Sequence, residues 1–212
     1  MTTLDATAED VHAHSHATTT AAPAADPAMI GLPSFIVGSV ALGLVLVGYV
    51  PASAVGASLA VIIAATGVGL LIAAGWAAAV AQSAVAGVFG AFAGFWLSYA
   101  LLVLGLTHNW FAIDAAAAVD TQAVFLISWL VIVGMLTLAT LRLPVTYTLL
   151  FALIEVALVL VLIGTVQASA SVLQIAGIVV LAFAAVGVYL FFSSASVATG
   201  GAALPLGPPL IG

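Results

Sequence analysis

Leu149-Leu150-Phe151-Ala152-Leu153-Ile154-Glu155-Val156-Ala157-Leu158-Val159-Leu160-Val161-Leu162-Ile163 decides the fold of this chain. The run is apolar on every side and a single acid interrupts it. It lacks the alternation of a barrel strand, in which every second residue turns from lipid to lumen. Extended to Val145 and Val166, it suits a helix that crosses a hydrocarbon core about 30 Å thick, which takes about 20 residues. Backbone groups in lipid must be satisfied within their own segment, and a helix does this.

Working outward, five more segments read the same way. Helix 1 is expected over Ile30 to Val50, ahead of Pro51, helix 2 over Val55 to Val80, and helix 3 over Ala84 to Leu106. No charge appears from Ala52 to Leu106, so the polar pair Gln82-Ser83 marks the turn between helices 2 and 3. Helix 4 is expected over Thr121 to Leu141, closed by Arg142 and Pro144, and helix 6 over Val172 to Ser194. The fold class is therefore an all-α membrane protein with six transmembrane helices in a compact bundle over residues 26–194. Residues 1–25, polar and rich in Ala and Thr, are expected to be disordered, and residues 195–212, rich in Gly and Pro, to be extended. Gly90 and Gly94 have the small-xxx-small spacing that lets helices approach closely in lipid.

Composition agrees and removes whole classes of function. Of 212 residues, 66% are hydrophobic and 4% charged, where a soluble domain carries roughly a quarter charged residues. Arg142 is the single cation. Without lysine there is no Schiff base or P-loop, and without cysteine no thiolate chemistry or iron–sulfur cluster. One cation cannot support a nucleic-acid surface. No cofactor and no metal are expected; the His12-x-His14-x-His16 run reads as a solvated tail. The transmembrane runs hold no His and one acid, so no nucleophile–base pair or metal cluster of an intramembrane enzyme is visible. A non-catalytic assembly subunit stays open as an alternative. Six crossings put both termini on one side with Arg142, and the positive-inside rule assigns that side to the cytoplasm.

Glu155 is the chemical oddity of the chain. A charge at mid-membrane costs at least about 2.5–3.5 kcal/mol on insertion scales, so such residues face a cavity or a partner. It is a candidate for carrying a proton or gating by its charge state; the plain alternative is a protonated side chain bonded between helices or protomers. Asp26 and Pro27 suit the cap and first turn of helix 1. Gln82 and Ser83 suit the start of helix 3, whose positive end attracts anions.

Four segments together resemble the acetate and succinate transporter family. Asp26-Pro27-Ala28-Met29-Ile30-Gly31-Leu32 is similar to its Asn-Pro-Ala-Pro-Leu-Gly-Leu signature, and Phe89-Gly90-Ala91-Phe92-Ala93-Gly94-Phe95-Trp96 to its Phe-Thr-Ser-Tyr-Gly-x-Phe-Trp stretch. Gly187-Val188-Tyr189-Leu190, preceded by Ala176-Gly177, and Leu204-Pro205-Leu206-Gly207 follow in the family's order. The resemblance implies a bundle with one pore per protomer, a homohexamer, and passage of acetate, succinate or similar carboxylates by a channel or a proton-coupled route. It also implies a constriction at Phe35, Phe92 and Ile154, with Asp26, Pro27, Gln82 and Ser83 around the mouth. Phe92 stands where the family has tyrosine, and Ser194 where it has an acid. A path with neither Lys nor Arg suits a neutral acid, so uptake is expected to rise as pH falls toward the acid's pKa.

Overall fold

A computed structural model describes residues 25–212, without the side chains of Ala52 and Val55. The expected disordered tail, with its three histidines, falls on residues 1–24, outside the described residues. Among the described residues six helices are long and apolar enough to cross a membrane: α1 Ala28–Leu46, α2 Gly56–Ala79, α3 Ser83–His108, α4 Ala115–Arg142, α5 Val145–Val166 and α6 Ala170–Ala198. The expected span of α5 matches residue for residue. α2 opens in 3₁₀ form and widens to a π-helix over Ile62–Gly67.

Apolar runs do not show where helices begin and stop, and three ends differ from expectation by four residues or more, the others by two or fewer. α4 begins at Ala115, six residues before the expected Thr121, because Asp114 caps a 3₁₀ turn over Ala115–Ala117 that runs into the helix. α1 ends at Leu46, four residues before Val50, because Gly48 adopts φ +83°. Its amide donates to Val45 O at 3.1 Å and that of Tyr49 to Leu44 O at 3.0 Å, closing a Schellman cap. α6 passes the expected end at Ser194 and reaches Ala198; Gly200, at φ +88°, makes the same cap there. The expected tail boundary at Ala195 thus lies inside a helix, since nothing from Ala195 to Ala198 breaks one.

Each helix packs on its chain neighbour and α6 returns to α1, so the six close a ring in which α4 leans mainly on α5. Lipid gives apolar helices no hydrophobic reason to associate; close packing does it. A side chain at Gly31 would strike the Phe89 ring, one at Gly38 would strike Thr66, and one at Gly177 would come within 2.8 Å of the Val47 backbone nitrogen. Gly90 and Gly94 are looser than their spacing suggested: a Cβ at either finds its nearest neighbour at 3.9 or 3.5 Å. The Ser34, Ser39, Ser128 and Thr137 hydroxyls bond back to carbonyls of their own helices, Ser39 to Phe35 O at 2.8 Å, while Thr148 on α5 crosses to Thr140 O on α4 at 3.0 Å.

The residues after α6 fold back over the bundle end. Val145 N–H donates to Pro208 O at 3.1 Å, and Thr146 donates its N–H and hydroxyl to Leu206 O at 3.2 and 2.8 Å. These carbonyls satisfy donors that the first turn of α5 leaves without helical partners. Tyr189 OH donates to Pro205 O at 2.9 Å, and the amides of Leu210 and Ile211 donate to Leu141 O at 3.0 and 3.1 Å. The tail is a strap, not a free extension.

Candidate functional site

α1, α3, α5 and α6 face one another around two adjoining cavities. The wider one, about 300 Å³, lies at the end where α1 begins and α6 finishes; Asp26, Ala28, Tyr147 and Ser194 are on its wall. The deeper one, about 40 Å³, is lined by Leu42, Trp96, Val161 and Phe183 among others. The first lies in the size range of small-molecule sites. The second has room for about three waters.

Three residues line both cavities: Phe35, Phe92 and Ile154. Their side chains stand where the two cavities meet. The Phe35 and Phe92 rings meet edge to face, centroids 5.2 Å apart and planes at 71°. Phe183 lies 5.7 Å behind Phe35, and Phe151 5.8 Å from Phe92. Exposure of the three is 5–6%. Helical period explains how each arrives there. Leu32 and Phe35 on α1, Phe89 and Phe92 on α3, and Tyr147, Phe151 and Ile154 on α5 recur at three- and four-residue steps along a single face.

The four residues expected at the mouth separate. Asp26 lines the wide cavity, and its Oδ1 accepts the Ala28 N–H at 2.9 Å, capping α1. Pro27 is buried as the residue before the helix and is not on the wall. Gln82 turns away and donates from Nε2 to Ala25 O at 3.1 Å, tying the α2–α3 turn to the segment before α1. Ser83 is exposed; Ala84 and Val85 line the cavity instead. A helix advances 100° per residue, and the polar pair falls on the wrong side of the first turn.

Glu155 lies on neither cavity wall. Next in sequence to Ile154, it turns toward α4, where Gly134 leaves it space: a Cβ on Gly134 would sit 3.5 Å from its Oε1. Its Oε2 is buried and has no hydrogen-bond partner among the described residues. Trp96, 1% exposed on the deep cavity wall, likewise has an unpartnered Nε1–H. Among the described residues no group of three or more His, Asp or Glu gathers to hold a metal.

Sequence reasoning missed Tyr147. It lies seven residues, two turns, before Ile154, and that spacing was the signal. Among the described residues, Tyr147, Thr140 and Ser194 are the uncharged polar residues that line the wide cavity.

Residues 9–203 match the profile of the GPR1/FUN34/yaaH family. The chain belongs to that family. Its fold also matches the structure of the bacterial acetate channel SatP, with a TM-score of 0.76 and 25% identity, over 86% of this chain and 99% of that one. No individual curated protein matches the chain in sequence. Both findings bear out the family read from the four short motifs, and the GPR1/FUN34/yaaH chain described here is a multi-pass, all-helical membrane protein like the channel it resembles.

Proposed function

We propose that this protein is a passage for small monocarboxylates such as acetate, and that the partition of Phe35, Phe92 and Ile154 is its gate. One observation carries the reading: two adjoining cavities within a single protomer have three lining residues in common, Phe35, Phe92 and Ile154, and no others. A wall of hydrocarbon stops hydrated ions and opens by side-chain rotation or wetting. The likeness to an acetate channel supplies the substrate class. The arrangement is that of a conduit rather than a catalyst, since a reacting group on this path would need a base or an electrophile beside it. The reading includes a homo-oligomer, a hexamer by resemblance, countable by native mass spectrometry in detergent. It also includes cytoplasmic termini, on the side where Arg142 ends α4.

Uptake of labelled acetate into proteoliposomes tests the gate. Wild-type protein is expected to exceed protein-free vesicles, and Phe92→Ala, which removes the ring that Phe35 abuts, to pass acetate several-fold faster. Wild-type flux equal to that of empty vesicles overturns the function. Equal flux in wild type and Phe92→Ala overturns the gate.

A further inference from the structure

We propose that the wide cavity recognises the undissociated carboxyl group of a monocarboxylic acid, with Asp26 as its acceptor and Tyr147 as its donor. This rests on the transport reading above and adds which protonation state is carried.

The two groups share one wall. Asp26 uses Oδ1 to cap α1; its Oδ2 takes no hydrogen bond from the described residues and is free to accept. The Tyr147 phenol, in the first turn of α5, has no partner among the described residues either. A carboxylate can only accept, whereas a phenol can donate. A carboxyl group, –COOH, offers one O–H and one C=O, matching that pair. A carboxylate anion offers two acceptors, so one of them would confront Asp26 as a like charge.

Among the described residues no cation on the wall offsets that repulsion. Among the described residues, Asp26 and Tyr147 are the only titratable groups on the wall, and α3, α4 and α6 contribute uncharged side chains to it. Arg142, the chain's single cation, is exposed at the end of α4 and does not line the cavity. The cavity is therefore a filter by charge: a neutral acid enters, a monoanion is opposed, and a dianion is opposed twice over.

The test uses proteoliposomes of the full chain containing an internal pH dye, given labelled acetate or succinate between pH 5 and 8, with protein-free flux subtracted. Wild type is expected to deliver a proton with every acetate, to slow by about tenfold per pH unit above the acid's pKa, and to exclude succinate. Asp26→Asn keeps a good helix cap, so it is expected to fold. It should flatten the pH profile, uncouple acetate entry from acidification, and raise succinate flux at least about tenfold, as removal of a like charge requires. Tyr147→Phe should slow acetate without changing the slope. Wild-type acetate flux that is flat with pH, or an Asp26→Asn profile identical to wild type, overturns the proposal while leaving transport intact. Absence of any wild-type flux overturns transport itself.

Discussion

Glycine 177 shows what a single atom decides in this bundle. A Cβ there would lie 2.8 Å from the Val47 nitrogen, and backbone cannot rotate aside as a side chain can. Gly177→Val is therefore expected to push α6 off α1 and cost about 2 kcal/mol, within the range for overpacked sites. Gly87, with nothing within 4 Å of its would-be Cβ, is the control, and thermal unfolding in detergent separates the two. Glu155 makes the opposite case. Sequence marks it as the one ionisable residue in an apolar run, and the cost of charge in lipid made it conspicuous. Its direction on the helix was not legible, because adjacent residues point 100° apart and an all-apolar helix gives no face to measure from. Since it lies on neither cavity wall, Glu155→Gln is expected to keep both acetate flux and its pH profile. A lost pH response in that variant would return the proton role to it.

At the scale of the helix, existence was legible and termination was not. All six spans follow from length and apolarity. Their ends depend on which residue turns left-handed, and hydropathy is blind to that. Glycine does it at Gly48 and Gly200, but alanine does it at Ala81 and Ala168, with φ +60° and +49°. At Ala168 the cap is complete: its amide donates to Thr165 O at 3.2 Å and that of Ser169 to Gly164 O at 2.9 Å. An L-residue with a Cβ is strained in this conformation by roughly 1–2 kcal/mol. Ala168→Gly is expected to recover about 1 kcal/mol and raise the melting temperature, with flux unchanged because the α5–α6 turn lies away from both cavities. The tail shows the same limit. Gly and Pro in residues 199–212 announced the absence of helix, but not the carbonyls that this extended backbone would offer to the start of α5.

For the whole molecule, Phe35, Phe92 and Ile154 come from three helices and meet only when the ring closes. No local pattern links them; only resemblance to a family suggested the trio, and their common place between two cavities is a property of the assembled bundle. The rest of the wall escaped for the same reason, since helices that are apolar all round do not reveal which stripe faces inward. The proposed gate has one more consequence. Protons cross membranes fastest by hopping along an unbroken file of hydrogen-bonded waters and hydroxyls, and two phenyl rings against a branched alkyl group offer no link in such a file. With the gate proposed above, a vesicle studded with this protein is expected to hold its electrochemical gradient as tightly as bare bilayer, so that the cell could keep the door in place without draining the battery that powers everything beside it.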